Sequence, residues 1–467
     1  MENKGRRFAD EREDSRAVEK HAQSDPAGDK RDKKALQKEQ RLKEKNAKKL
    51  DKLMKKQQKR EKHSKRDVLT YEELPIEERE SDIEKSTPKI KISKKRIIAA
   101  VLIILLLFIV VFYIANPERM SFYNIKNFFN YSVMNRDSDQ KFPIDVSGES
   151  ISPGNFVGSG LDIVYSSETK TQILNNYGRS VFTAPHAFIT PVLVCGGKNE
   201  IIYNLGGTGY QVIDKDSNVS SFDAKDDILL ADITESGVYA IVTESGGYLS
   251  KLYVYDRTGE QIYAYSFADY YVTAVSLSNT GKQAVVAGIS ALDGVDIAAL
   301  YVLDFTKDSP LYLSEFEDNI IYDVQYINDH SAAAVGRAAS YAINTSNGNV
   351  ETNAYEGRVL TAYDINTDTD TYTLSLSNSG DGRNCDIISF NSSGKEDRSF
   401  SVDDKIIDLS THKGRVALLT NDDVMLYSKD GKHYSTKSLR SDPHTVVLYT
   451  GSDAYVLCTG YIDTISL

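Results

Sequence analysis

The stretch DINTDTD, from Asp364 to Asp370, places an oxygen-bearing side chain at every second position. Alternating carboxylate and amide oxygens make up the first half of a calcium-binding loop, because Ca²⁺ prefers hard oxygen ligands. Such a loop needs glycine at its sixth position and glutamate at its twelfth, whereas this chain has Thr369 and Ser375 there. We therefore interpret the stretch as a polar hairpin between strands, and we predict neither a metal ion nor any other cofactor.

Cysteine and histidine are the other side chains that could bind a metal or attack a substrate. The cysteines Cys195, Cys385 and Cys458 form no CxxC pair, and we predict free thiols, buried at Cys195 and Cys458. The histidines beyond residue 140 show no metal-binding spacing, so we interpret them as surface or loop residues. They are His186, His330, His412, His433 and His444.

Glycine-rich and serine-centred motifs do not indicate catalysis either. Gly206, Gly207 and Gly209 lie between two predicted strands rather than before a helix, which favours a turn over a phosphate-binding loop. The sequence contains no GxSxG motif for a serine nucleophile. On these grounds we predict a protein that is not an enzyme.

The elements that would position such residues are short β-strands. Beyond about residue 140, a strand, a polar turn and a second strand recur, as in LYVYDRTGEQIYAYSF, where Asp256 and Gly259 suit a tight turn. The central positions of the first strands are 38 to 49 residues apart. A period near 40–45 residues with four strands per repeat is typical of a β-propeller. The central positions are Ile163, Val212, Val254, Val302, Ile343, Ile387, Met425 and Thr464.

Eight such positions predict an all-β, eight-bladed β-propeller over residues 141–467. Seven blades remain an alternative, because the repeat from Ile151 to Asn176 is weak. The last repeat, YIDTISL from Tyr461, lacks a partner strand. We predict that FPIDVSG, from Phe142, supplies it, so that N-terminal chain closes the ring and removes an exposed sheet edge.

Inner strands of the predicted ring are marked by small residues, such as Ala332 to Ala334, which suit crowding around a central channel. Two carboxylates, Asp323 and Asp408, also lie on inner-strand stretches. If the propeller is an enzyme after all, these are the side chains that we expect to serve at its channel.

Charge divides the chain into three parts. Residues 1–96 carry a net charge of +10, residues 97–115 none, and residues 116–467 a net charge of −21. The uncharged run IIAAVLIILLLFIVVFYIA is long enough for one transmembrane helix. Lys94, Lys95 and Arg96 flank it, which predicts a cytoplasmic N-terminus and an extracellular C-terminal domain. The acidic propeller is an unsuitable partner for nucleic acid.

Residues 1–96 are rich in charge and poor in hydrophobic side chains, which predicts a disordered basic arm. Its lysine run could be an electrostatic tether that attracts an anionic surface. Alternatively, it is a solvated tail whose positive charge only sets the orientation of the membrane segment, and both interpretations stay open.

An aromatic segment, residues 117–134, follows the predicted membrane helix. Aromatic rings favour the membrane interface, so we predict a short helix lying on the outer leaflet; a helix packed against the propeller is the alternative. The aromatic residues that we assign to the interface are Phe122, Tyr123, Phe128 and Phe129.

The basic arm, the anchor, and the motifs NIKNFFNYS, PIDVSG and RVLTAYDIN together resemble a Firmicutes family of single-pass membrane-anchored β-propeller proteins of unknown function. The propeller itself resembles quinoprotein-dehydrogenase-like and tryptophan–aspartate-repeat propellers. The quinone enzymes use tryptophan in their repeats, and this chain has none, so the resemblance implies no quinone cofactor. It implies an architecture and a location but no reaction.

We therefore predict a binding or scaffold module, held at the cell surface by the lipid bilayer, with a protein or a cell-envelope polymer as its partner. The alternative is an extracytoplasmic hydrolase or lyase with its site at the central channel. That alternative requires carboxylates or histidines that converge there, since the fold alone does not decide function. The sequence leaves the oligomeric state open.

Overall fold

The computed structural model describes residues 141–467 without a gap, and only scattered helical positions before them. Among the described residues, no helix is both long enough and apolar enough to cross a membrane. The arm (1–96), the membrane segment (97–115) and the aromatic segment (117–134) lie wholly or largely outside the described residues, so the interpretations of them stay predictions. The helical positions are Lys52, Met54, Lys55, 101–108, 110 and 111.

Residues 141–467 form eight four-stranded antiparallel sheets, which confirms the eight-bladed propeller over the seven-bladed alternative. Seven blades consist of four consecutive strands each, and short turns join the strands. The strands of blades 1 and 2 are β2 (Phe156–Ser159), β3 (Asp162–Ser166), β4 (Lys170–Leu174), β5 (Ser180–Pro185), β6 (Pro191–Gly196), β7 (Asn199–Asn204), β8 (Gly209–Ile213) and β9 (Val219–Asp223). Those of blades 3 and 4 are β10 (Ile228–Ile233), β11 (Tyr239–Ser245), β12 (Tyr248–Tyr255), β13 (Gln261–Phe267), β14 (Tyr271–Leu277), β15 (Gln283–Leu292), β16 (Val295–Asp304) and β17 (Tyr312–Glu317).

The second half of the ring repeats this plan. The strands of blades 5 and 6 are β18 (Ile321–Asn328), β19 (Ser331–Gly336), β20 (Ala339–Asn344), β21 (Val350–Ala354), β22 (Val359–Asn366), β23 (Thr371–Ser377), β24 (Cys385–Asn391) and β25 (Glu396–Val402). Those of blades 7 and 8 are β26 (Asp408–His412), β27 (Arg415–Leu419), β28 (Asp423–Ser428), β29 (His433–Ser438), β30 (Pro443–Leu448), β31 (Asp453–Cys458), β32 (Tyr461–Ser466) and, from the start of the domain, β1 (Ile144–Asp145).

Blade 8 is therefore closed by N-terminal chain. Its strand order is β30, β31, β32 and β1, and Ile144 pairs with Ile462. The pairing continues where the backbone N–H of Val146 donates to the carbonyl of Gly460 at 2.9 Å. The prediction that the FPIDVSG segment supplies the missing outer strand is confirmed. Around the axis, the first strand of each blade contacts the first strand of the next, and β30 contacts β2.

The predicted alignment of the repeats is wrong by one strand in blade 1. Seven of the eight central positions lie on the third strand of their blades, but Ile163 lies on the second strand of blade 1. The polar turn after Ser166 resembles the turn that follows third strands in the other blades. The sequence pattern therefore places Ile163 on a third strand, although it lies on a second strand. The third strand of this blade is β4, and this explains why the first spacing is the longest.

The core lies between the blades, where apolar side chains of neighbouring sheets pack together. One cluster, for example, joins Val285 and Leu300 of blade 4 to Tyr326 and Tyr341 of blade 5. Tyrosine supplies the largest fully buried rings in a chain without tryptophan. The fully buried tyrosines are Tyr165, Tyr239, Tyr326, Tyr355, Tyr372 and Tyr455.

The turn between β12 and β13 has the predicted structure. The carboxylate of Asp256 accepts hydrogen bonds from the backbone N–H groups of Thr258 at 2.8 Å and Glu260 at 3.0 Å. Gly259 adopts a φ of +84°, which glycine tolerates without strain. A hydrogen bond from the Thr258 hydroxyl, together with these backbone hydrogen bonds, lowers the pKa of Asp256.

Candidate functional site

The two ends of the ring differ in which loops they carry. Consecutive strands of a blade are antiparallel, so the loops between second and third strands lie at the same end as the linkers between blades. We call this end the linker face. The other end, which we call the opposite face, carries the turns between first and second strands and between third and fourth strands.

Large apolar side chains are exposed at the linker face, on its loops and at the adjoining strand ends. They belong to blades 2 to 6, and the most exposed are Ile189 at 85% and Leu292 at 66%. We call the whole set the apolar patch; its members are Ile189, Leu205, Tyr248, Tyr271, Leu292, Val295, Tyr322 and Val359. Exposed apolar side chains that cluster on one surface indicate an interaction site.

Elsewhere on residues 141–467, exposed large apolar side chains occur only on fourth strands. They are Val181, Val219, Phe222, Ile262, Leu313 and Tyr434. The loops of the opposite face carry none within this range. The asymmetry between the two faces therefore distinguishes the linker face as the candidate binding surface.

The backbone helps to turn some of these side chains outward. First strands carry β-bulges near the linker face, between Ile321 and Asp323 in blade 5 and between Val272 and Ala274 in blade 4. A bulge inserts an unpaired residue and redirects its side chain. Tyr322 is the inserted residue in blade 5, and half of its surface is exposed.

Carboxylates surround the apolar patch. Asp227, Asp269, Asp293 and Asp318 are exposed on linkers or turns of the same face. Arg337 contacts Asp318 at 3.1 Å and also Asp296 at 3.0 Å, which fixes loops of blades 4 and 5 to each other. The surface therefore combines apolar contact area with negative charge, and it suits a partner that is apolar and basic.

Polar side chains on the first strands connect neighbouring blades at the junctions from blade 3 to blade 8. Asp232 of blade 3 accepts a hydrogen bond from the backbone N–H of Leu277 of blade 4 at 2.6 Å. Asp364 of blade 6 accepts one from Thr411 of blade 7 at 2.7 Å. Serine hydroxyl oxygens accept the equivalent hydrogen bonds at two other places: Ser276 accepts from the backbone N–H of Tyr326, and Ser410 accepts from that of Leu448. We call these contacts the inner latches.

The two carboxylates assigned to a possible enzymatic channel have structural partners. Asp408 accepts a hydrogen bond from the backbone N–H of Val446 at 2.9 Å and another from the Thr445 hydroxyl. Asp323 interacts with the phenol of Tyr363 on the next blade; burial raises the pKa of Asp323, and the hydrogen bond with Tyr363 opposes this rise. Both side chains thus join blades to each other, as the inner latches do.

Burial changes the acidity of these inner carboxylates. Desolvation raises the pKa of Asp232 to about 7, and the charge of Asp323 adds to the effect. Desolvation also raises the pKa of Asp323 and of Asp364 to about 6, and raises that of Asp408. These carboxylates are close enough for the charge of Asp323 to affect Asp232 and that of Asp408 to affect Asp364. Asp232, Asp364 and Asp408 also accept hydrogen bonds from the neighbouring blade.

The stretch from Asp364 to Asp370 is a hairpin between β22 and β23, as predicted. The Asn366 carboxamide oxygen accepts hydrogen bonds from the backbone N–H groups of Asp368 at 3.0 Å and Thr369 at 3.1 Å. Within the described part of the chain, no three side chains of histidine, cysteine, aspartate or glutamate meet in a way that could hold a metal ion.

The remaining motifs have ordinary structural places. All three cysteines are free thiols, and Cys385 and Cys458 are buried, while Cys195 is partly exposed. His186 lies on a linker, stacks on Phe188 and contacts the buried Ser166 hydroxyl at 3.1 Å; burial lowers its pKa. The glycines from Gly206 to Gly209 form the predicted turn before β8.

A closed ring of eight four-stranded antiparallel blades defines this protein as an eight-bladed β-propeller with one apolar face. The chain belongs to the family described as "Family of unknown function (DUF5711)", which matches residues 140–467. Among curated proteins, none matches this sequence.

Solved structures share the propeller fold. The C-terminal WD40 domain of Sif2 has 13% sequence identity and a TM-score of 0.50, over 71% of this chain and 99% of that one. BamB from Moraxella catarrhalis has 13% identity and a TM-score of 0.45, over 70% and 99% of the two chains. Chaetomium thermophilum Sqt1, bound to the N-terminus of the ribosomal protein L10, has 10% identity and a TM-score of 0.48, over 71% and 100%. At these identities the likeness concerns the fold alone.

Proposed function

We propose that the protein is a binding module that docks a protein partner on its linker face. The observation that supports this proposal is the apolar patch, which covers blades 2 to 6 on one face and has no counterpart on the loops of the other within residues 141–467. Association buries such side chains and is favoured by the hydrophobic effect. The surrounding carboxylates select basic partners and repel acidic ones.

We propose binding rather than catalysis because the inner carboxylates already serve the fold. A general base must lie within hydrogen-bond reach of the proton that it takes from its substrate. The carboxylates of Asp232, Asp364 and Asp408 each accept at least one hydrogen bond from the neighbouring blade, so each has a structural role. Contacts between blades explain their positions without a substrate.

We further propose that one helix over residues 97–115 anchors the chain in a membrane, with the basic arm in the cytoplasm and the propeller outside. The sequence pattern supports this proposal, and so does the resemblance to an anchored Firmicutes family. Within the described residues, the propeller begins at Lys141 and Phe142, which pack against Gly178 in a turn of the opposite face.

The docking proposal is tested by placing a photo-crosslinking amino acid at single positions of the full chain in its own cells. We expect covalent adducts when it replaces Leu292 or Tyr322, which belong to the apolar patch, because a docked partner covers them. We expect none when it replaces Leu313 or Ile262, which are exposed apolar residues on fourth strands. Digestion of the adduct by a protease distinguishes a protein partner from an envelope polymer.

A second substitution makes this test specific. Leu292→Asp should remove the adduct formed from position 322, while thermal unfolding of the chain stays the same, because Leu292 is exposed at the end of β15. Equal crosslinking from all four positions, or adducts that persist in the Leu292→Asp chain, would show that the patch is not the binding surface.

The membrane topology is tested with single cysteines and a maleimide reagent that does not cross membranes. We expect Asp269→Cys, on an exposed linker, to react in intact cells because the propeller is outside. We expect Lys43→Cys, in the basic arm, to react only after the cells are permeabilised. Reaction of Lys43→Cys in intact cells, or protection of Asp269→Cys there, would refute the proposed orientation.

A further inference from the structure

The hairpin between β15 and β16 projects from the linker face. Each of these strands has ten residues, and they pair with each other at all ten positions. The first strand of the blade, β14, pairs with β15 only as far as Ile289, and β17 pairs with β16 only from Ile297. The end of the hairpin therefore extends past β14 by three residue pairs, or about 10 Å. We call residues 290–296 the finger.

The finger is held in one conformation by its turn and by blade 5. The turn residues Asp293 and Gly294 have φ angles of +51° and +86°. Two positive φ angles are typical of a type I′ turn, whose twist matches that of the strands. On the side of blade 5, Asp296 contacts Arg337 at 3.0 Å, and its carbonyl accepts a hydrogen bond from the backbone N–H of Asp318 at 2.8 Å. Binding of a partner therefore requires little ordering of the finger.

The side of the finger that faces blade 3 is apolar. Alternate residues of a strand face the same side of the sheet, and Val286 and Ala299 pack with blade 3 in one apolar cluster. Leu292 and Val295 follow the same alternation, so they point to the same side, and they are directly paired. Their exposed fractions are 66% and 41%. The finger thus presents two adjacent aliphatic side chains beyond the body of the blade.

Exposed carboxylates lie beside this apolar side. The linker from blade 3 to blade 4 passes its base, where Tyr270 packs so closely on Gly288 that a Cβ at position 288 would lie 2.8 Å from that of Tyr270. Asp269 precedes Tyr270 and is exposed, as is Asp293 in the turn. Neither carboxylate forms an ion pair within residues 141–467. Both charges are available to a partner.

We propose that the finger anchors docking by entering an apolar cleft of a folded partner protein; this inference rests on the proposed function. A projecting tip is removed from water on several sides only by a concave surface, which favours such a cleft. A lysine or an arginine lies at the edge of the cleft, because Asp269 and Asp293 attract a basic side chain. A few central residues carry most of the binding energy of an interface, and here they are Leu292 and Val295.

The experiment measures the adduct formed by a photo-crosslinking amino acid at position 322 of the full chain in its own cells. This position belongs to the apolar patch but not to the finger. We expect Leu292→Ser to lower the adduct yield at least about fivefold, because the anchor loses most of its apolar surface. The matched control is Val359→Ser, at an exposed patch residue of blade 6, which should lower it less than about twofold.

A second pair of variants tests the charge. Asp269→Asn should lower the yield about three- to tenfold, because the basic side chain of the partner loses its charged acceptor. Its control is Asp227→Asn, an exposed carboxylate on the linker from blade 2 to blade 3, which should leave the yield unchanged. Thermal unfolding of each variant verifies that it is folded. Asp269→Cys also removes this carboxylate, so docking does not protect that position from the maleimide reagent.

The outcomes separate this inference from the docking proposal. If the wild-type chain forms no adduct from position 322, both are wrong. If it does, but Leu292→Ser has no effect or only the same effect as Val359→Ser, a partner docks without the finger as its anchor. A wild-type yield in Asp269→Asn would contradict the basic edge of the cleft.

Peptide mapping of the adducts tests the cleft itself. Adducts formed from positions 292 and 295 should map to segments of one partner protein that are far apart in its sequence, because a cleft is built from several segments. Adducts that all map to one short linear segment would refute the cleft.

Discussion

Replacing Val146 by aspartate will lower the free energy of unfolding of the propeller by about 3–5 kcal/mol, because it buries an unpaired charge at the closure of the ring. Val146 is 4% exposed and packs in a cluster with Phe156 of blade 1 and Tyr455 of blade 8. Its backbone N–H pairs with Gly460. The substitution therefore weakens the contact between the first and last blades at one position.

Urea unfolding of the full chain in detergent, followed by tyrosine fluorescence, measures this effect, since the chain contains no tryptophan. The control is Val181→Asp, at an exposed site on the fourth strand of blade 1, which should change stability by less than about 0.5 kcal/mol. If the two variants unfold at the same urea concentration, the N-terminal strand does not close the ring in solution.

Replacing Asp232 by asparagine will stabilise the propeller at pH 8 by about 1–3 kcal/mol. Burial raises the pKa of Asp232 in the folded chain to about 7, from its ordinary value of 3.8. The folded chain consequently binds more protons than the unfolded chain between these values, and stability falls as the pH rises through this window. Asparagine keeps an oxygen that accepts the hydrogen bond from the Leu277 N–H, but it carries no charge. The loss of stability with rising pH that Asp232 causes is therefore absent in this variant.

The measurement is urea unfolding of both chains at pH 5 and pH 8. The difference between Asp232→Asn and the wild-type chain should be large at pH 8 and smaller at pH 5, where Asp232 is protonated in the folded state. Asp293→Asn, on an exposed turn, serves as the control and should change stability by less than about 0.5 kcal/mol at either pH. A stability gain that is the same at both pH values would contradict the proposed titration of Asp232.

Local patterns explain why much of the fold could be predicted. Strand pairs separated by polar turns, such as that at Asp256 to Gly259, depend on side chains close in sequence. Their recurrence gave the blade number, and the unpaired last repeat indicated that N-terminal chain must close the ring. The phase error at Ile163 arose because the second strand of blade 1 is apolar and ends in a polar turn after Ser166, as third strands do elsewhere, whereas its true third strand, KTQIL, is only partly apolar.

The candidate sites could not be predicted in the same way. The members of the apolar patch are spread over residues 189 to 359, and each resembles an ordinary strand or loop residue in the sequence. A bulge, rather than a pattern of residues, turns Tyr322 outward. Asp323 and Asp408 were correctly assigned to inner strands, but only the contacts between blades show that they bind neighbouring strands.

The sequence by itself determined the repeated strands and the closing segment, because each depends on hydrogen bonding and hydrophobicity over a few neighbouring residues. The tertiary structure alone decided between eight and seven blades, which loops share a face, which apolar side chains stay exposed, and which side chains connect neighbouring blades. These features depend on the circular arrangement of the sheets, which brings together residues that are far apart along the chain.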